Sequence, residues 1–374
     1  MEIQKAGNNS QQYQIQNLTI QQGIDEKRAK EIYDENYSIA KRDFTEEARR
    51  ISNERVKELE NRLIPQIQAI SGGLKAFADP SFQLLLIKAQ KTAAATERHE
   101  DYDLLSELLI HRINKGNDRH IRAGIHRAVE IVEDISDEAL LGLTIVHSVQ
   151  TFFPRTPNIT SVLNQLNDLF GKIIDSDLPL GIDWIDHLDI LNAIRINPVG
   201  SFQSIEKGYT DVLDGIAVVG IKIDSEPYET AKTILHKNGL PYHSILIENP
   251  LKQGYVRLNV SCIKDIEDLH FQELINGNSY SIPITKEQKK AIKSILDLYS
   301  KDNELNAEMQ KNFMAEWMKH TNLSKLKEWW DQLPRAFSIT SVGRVLAHAN
   351  AQRCDKNLPS LNELYATEQV TTHY

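Results

Sequence analysis

Between positions 111 and 127 the chain places His111, Arg112, Lys115, Arg119, His120, Arg122, His126 and Arg127, with Asp118 as the only acid among them. Groups of this kind at this density suit the binding of an anion. A guanidinium meets a phosphate or carboxylate through two parallel N–H donors, and neighbouring cations add attraction. Arg119, Arg122 and His126 follow at i, i+3 and i+7, which puts them on one face of a helix whose N-terminus would add backbone N–H donors. Arg112 and Arg127 complete this candidate anion-binding set. The competing reading is a solvated face, salt-bridged to the acids of 97–107 and 130–138.

Other polar groupings carry less chemistry. Asp183 and His187 in GIDWIDHLDILNAIRINP stand four apart and could both touch a metal. However, Asp183 is an ordinary first-turn acid favoured by the helix dipole, and Trp184, Leu188 and Leu191 form a core face, so no metal is expected. Trp317, Trp329 and Trp330 invite an aromatic platform, but Phe313, Met314, Trp317 and Met318 recur at helical spacing and read as core. No GxxxxGK[ST] or GxSxG occurs, and neither Ser341 nor Cys354 has a base placed by a recognisable motif. No cofactor is expected, and the pattern leans away from an enzyme.

The elements that must position these residues point to an α+β protein that is mainly α. Residues 24–78 form a charged, glycine-poor helical region to position 71. Ala29, Ile32, Tyr33, Val56, Leu59, Leu63 and Ile67 mark an apolar stripe along one long helix or two in line. That stripe needs a partner, either its own domain or, as the adjoining N-terminal segment favours, a neighbouring subunit. Residues 79–205 read as a helical bundle: Asp79-Pro80 starts one helix, Asp101 or Asp103 caps the next, and Ser136 starts another. Further helices are expected over 160–174 and 183–196. Residues 210–265 read as a small α+β module, with a buried strand over Ile216–Ile223, a helix ending at Gly239 and a hairpin across Asn249 to Gly254. Residues 266–374 return to helix, with Thr285 as one cap and Thr340 or Ser341 as another.

The first 23 residues are of another kind, since 10 of the first 22 are Asn or Gln. Tyr13 and Ile15, then Leu18 and Ile20, alternate on either side of Asn17, where the phase shifts, as in two short strands joined by a corner. An isolated pair of that size is marginal in water. Stacked between copies of the chain, Asn8, Asn9, Gln12 and Asn17 could form side-chain ladders while the apolar residues pack, making 1–23 an intermolecular β oligomerisation segment. The alternative is a disordered polar tail.

With 374 residues, 41% hydrophobic and 25% charged, the chain suits a globular protein of two or three domains. A net charge of −9 opposes a surface that coats nucleic acid generally and leaves only a local basic site for phosphates. Two distant cysteines, Cys262 and Cys354, fit a reducing compartment. No apolar run of membrane length and no signal peptide is apparent, so a cytoplasmic location without membrane partners is expected.

The segments GNNSQQYQIQNLTIQQGIDEKRAKEIYDENY, FADPSFQ, LLSELLIHR and FSITSVGRVLAHAN together resemble an uncharacterised bacterial family, over most of the chain. Its members are similar to proteins encoded among phage-defence genes, which implies a role in antiviral defence and no assigned active site. The leading expectation is therefore a homo-oligomeric scaffold, sensor or regulator whose partners are copies of itself and a second protein acting as effector or trigger. The alternative is a nucleic-acid- or nucleotide-binding protein using 111–127, and the third is a hydrolase with an unrecognised site.

Overall fold

The structure, a computed structural model, describes residues 24–40, 45–114, 118–275 and 278–361. The expected β segment with Asn8, Asn9, Gln12, Tyr13, Ile15, Asn17, Leu18 and Ile20 lies outside the described residues, as does the turn at 115–117. What is described is mainly helical, with a few small antiparallel sheets.

Helices α1 (Glu26–Ala40) and α2 (Glu46–Ala69) are separate and fold back on one another: Tyr33 Oη donates to Val56 O at 2.9 Å and Lys30 pairs with Glu60. Their apolar stripe is covered within the chain, by α3 (Pro80–Ala95) and α4 (His99–Asn114). This corrects the expected neighbouring-subunit partner, because periodicity says that a face is buried and not what buries it. Helix α2 also continues through Pro65. Asp79 accepts from Ser81 N, as Asp79-Pro80 implies. Asp101 is instead a buried member of the first turn of α4, bonded to Thr96 and Arg98, and caps nothing.

Next come α5 (Arg119–Ile131), α6 (Asp137–Thr151, capped by Ser136), α7 (Ile159–Ile173) and α8 (Asp183–Ile190). The helix expected over 183–196 ends early. Asn192 takes a φ of 60°, a left-handed turn that Asn tolerates, and the chain leaves as strand β1 (Ile194–Ile196).

After α9 (Ile205–Val212), the apolar run at 216–223 is mostly bend, turn and irregular chain, and only β2 (Ile221–Lys222) is strand. Gly220, at φ +81°, brings its backbone so close to Val256 O that a Cβ would lie 2.0 Å away, and Ile216 and Val219 are buried without strand pairing. Helices α10 (Glu226–Lys237) and α11 (Tyr242–Ile245) and strands β3 (Leu246–Glu248) and β4 (Tyr255–Leu258) follow, giving an antiparallel sheet of order β2-β4-β3 with Ile221 opposite Val256 and Leu246 opposite Leu258. A hairpin of β5 (His270–Ile275) and β6 (Asn278–Pro283) stands where only helix is expected from the sequence. With α12 (Lys286–Ile295, capped by Thr285) these elements enclose a core of their own around Leu235, Ile245, Val256, Leu258, Ile292 and Ile295. Buried Arg257 ties this core to the rest, its guanidinium donating to the carbonyls of Pro157, Gly215, Leu258 and Val260.

The chain then returns to the larger core through α13 (Asn303–Trp317), α14 (Thr321–Trp330), β7 (Phe337–Ile339) and α15 (Ser341–Cys354). Strand β7 pairs antiparallel with β1, Ile194 opposite Ile339, and delivers α15 among α4, α5, α6 and α7. Thr340 caps α15 by accepting from Gly343 N at 3.2 Å. Trp317, Trp329 and Trp330 are core residues, each indole N–H bonded to a backbone carbonyl.

The entry of α15 requires glycine at 343, where a Cβ would lie 2.0 Å from Ala193 O. Gly343→Ala should therefore cost about 3 kcal/mol, the upper part of the usual range for overpacking. Gly208, inside α9 with nothing near its Cβ position, should by contrast gain roughly 0.5–1 kcal/mol as Ala. Urea unfolding of the two variants against the parent checks both signs.

Candidate anion-binding site

Helix α5 presents its outer face because its inner face is small and apolar. Ile121, Gly124, Ile125, Ala128 and Val129 are buried against α3, α4 and α15, and a Cβ on Gly124 would lie only 3.0 Å from Ser341 O. Arg119, Arg122 and His126 are thereby aligned on the opposite side, Arg119 exposed and the other two half-buried. Among the described residues neither Arg119 nor Arg122 has an ion pair or a side-chain hydrogen bond.

Three features of the expected site differ in the structure. Asp118 Oδ1 accepts from His120 N at 2.8 Å and Ile121 N at 3.2 Å, so the first amides of α5 are already occupied by the chain's own carboxylate. Side chains along the face, not the helix end, are therefore the groups this face offers. Arg112 does not share that face. It is buried on α4, its Nη2 donates to Asp79 Oδ2 at 2.6 Å, and its Nε has no partner. Arg127 is turned aside as well, bonded to Glu130 at 3.1 Å.

Lys88 on α3 joins the site although sequence reasoning passed over it. It pairs with Glu130, one turn beyond His126. Its only signal was a cation directly after the apolar run LLLI in SFQLLLIKAQKT. Burial holds His126 below the ordinary histidine range, and the charges of Lys88, Arg112 and Arg122 press in the same direction against Glu130. The face is thus positive in a chain of net charge −9.

His111, adjacent to Arg112, points the other way, into a histidine cluster that is invisible in the sequence. His147 Nε2 lies 3.3 Å from His348 Nδ1, and the rings of His111 and His348 have centroids 5.5 Å apart. Phe152 closes one side, and His111 Nε2 lies 2.7 Å from Gln352 Oε1, to which only a protonated nitrogen can donate. His111 Nδ1 and His348 Nε2 are buried without partners. Burial pushes His147 down to about 3 and His348 to about 2, with His111 lowered too, so all three are neutral at physiological pH. Among the described residues no group of three or more His, Cys, Asp or Glu is arranged to hold a metal. His187 is engaged elsewhere, its Nε2 3.1 Å from Asp134 O. A cleft of about 780 Å³ opens in the smaller core beside Ile245, Leu258, Asn259, Ile284 and Gln288, with His270 on its wall and no Asp, Glu, Lys or Arg in its lining.

The three buried histidines set an acid limit on stability. Their folded-state proton affinity lies below the unfolded value near pH 6.5, so nothing is lost above that pH. Below it the unfolded chain takes up protons that the folded chain refuses, and stability falls by as much as about 1.4 kcal/mol per histidine per pH unit. Urea unfolding between about pH 8 and 5 should show this descent, shallower in His348→Gln; a flat profile would contradict it.

No curated protein and no solved structure matches the chain. One protein-family model, whose description reads only ":-like" and which represents uncharacterised proteins, matches residues 23–361. The chain belongs to that family.

Proposed function

We propose that the chain is a binding protein, a sensor or regulator, that engages a phosphate-bearing ligand, nucleic acid or nucleotide, on the outer face of α5. The observation that carries this reading is the pair of uncompensated guanidiniums, Arg119 and Arg122, beside half-buried His126. Most arginines elsewhere on the helical body meet a carboxylate, as Arg50 does with Glu47 and Glu54 and Arg62 with Glu58 and Asp103. The surrounding negative protein repels polyanions, but that repulsion is screened beyond about 8–10 Å at ordinary salt, so a local cationic row can still hold phosphates.

Self-association through residues 1–23 is the second part of this reading. It is supported by their Asn/Gln content and by the alternation of Tyr13, Ile15, Leu18 and Ile20. It makes the protein a homo-oligomeric scaffold, and the resemblance of its segments suggests antiviral defence as its setting. Free Cys262 and Cys354 suit a cytoplasmic location. No helix among the described residues is long and apolar enough to cross a membrane.

Fluorescence titration of labelled single-stranded DNA, RNA and nucleotides at low and high salt tests the ligand. Two to three phosphate contacts should weaken a single strand's binding by about 30-fold or more per tenfold rise in salt. Replacing Arg119 and Arg122 together by Gln should remove most of that dependence. Binding no tighter than about millimolar at low salt would contradict the reading. Light scattering on the full chain and on one beginning at Gly23 tests assembly, and equal monomeric masses would sink it.

A further inference from the structure

The cationic row of α5 contains one histidine, the side-chain type whose ordinary titration lies closest to neutrality, and it stands one turn from Arg122. His126 lies one turn from Arg122 and one turn from Glu130 on the same face, half-buried, and its ring makes no hydrogen bond among the described residues. The charges of Lys88 on α3 and of buried Arg112 on α4 act on it; along α5 it is flanked by Arg119, Arg122, Arg127 and Glu130. Helix α15 packs on the opposite side, through Gly124 and Ser341, and the charge of its Arg344 acts on His147. The carboxylates paired with these cations are already spoken for: Glu130 is held by both Lys88 and Arg127, and Asp79 by Arg112.

Resting on the reading of α5 as a phosphate-binding face, we propose that ligand binding there draws a proton from solvent onto His126, so that the site tightens as pH falls through neutrality. Without ligand, a proton on this ring meets Lys88, Arg112 and Arg122 with no free counter-charge. A bound phosphate supplies that charge. Protonation in turn changes the ring from one N–H donor to two and adds a unit of attraction. Proton and anion each favour the other's binding by the same factor, as linkage requires. One proton is taken up per site and no other bond forms or breaks.

A short oligothymidylate is a suitable probe, since its phosphodiesters keep the same charge throughout the range used. Its affinity, measured between about pH 8 and 6, should rise by up to about tenfold per pH unit, the limit for one linked proton. Calorimetry in two buffers of different ionisation heat should register uptake of a fraction of a proton up to one. His126→Gln keeps an N–H donor. Whatever its affinity at about pH 8, it should show neither the pH dependence nor the uptake, whereas His120→Gln should keep both. Unfolding midpoints at the upper pH verify that both variants are folded. Binding that is independent of pH, or pH dependence that persists in His126→Gln, would overturn the proton linkage and leave the phosphate reading standing. Absence of binding at every pH would overturn both.

Discussion

The centre of the larger core, where α4, α5, α6 and α7 meet, depends on the burial of α15. This helix comes from near the end of the described chain, yet Gly343 and the run Val345–Ala351 are buried between helices formed some 200 positions earlier, as the contact of His348 with His147 across 201 residues shows. Close approach at Gly343 and Gly124 brings α15 against Ala193 and α5. Long-range closure of this kind costs chain entropy before any contact forms, so its packing must be tight to repay it. Three histidines lie in the resulting interior, where burial keeps them uncharged. Asn350 and Thr144 meet the same requirement by bonding to each other at 2.9 Å.

The surface site follows from the same constraint. Because α15 fixes the inner face of α5, the outer face is fixed too, and Arg119, Arg122 and His126 are held in a row on a rigid element instead of a loop. The neighbouring helices add positive charge without adding free carboxylates: Lys88 and Arg127 share Glu130, and Arg112 draws in Asp79. Pairing them leaves the excess charge on the two arginines nearest the helix start. Asp118 sets the near boundary of the site by closing the helix end.

Local signals in the sequence translate directly into structure. Asp79, Ser136, Thr285 and Thr340 cap the helices that their positions announce, since a cap needs only residues two or three apart. The row on α5 was legible for the same reason. Its limits were not. Whether Arg112 joined the row depended on Asp79, 33 residues away, and the role of Lys88 depended on α3 lying beside α5. The histidine cluster was beyond reach because His147 and His348 share no local pattern. The apolar run from Ile216 to Ile223 misled because buried turns and buried strands are equally apolar, and Gly215 just before it and Gly220 inside it were the better guide. The β5–β6 hairpin had a recognisable signal in Asn276-Gly277, set between alternating residues, which the lysine-rich helix following it obscured.

The most direct test of the central claim, that phosphate binding on the α5 face is coupled to a proton on His126, is an NMR titration of the histidine imidazoles with and without oligothymidylate. His126 should titrate below the ordinary histidine value in the free protein and move upward on adding the oligonucleotide, while His111, His147 and His348 remain neutral in both. A His126 resonance that titrates at the ordinary value and does not respond to the oligonucleotide would contradict the account.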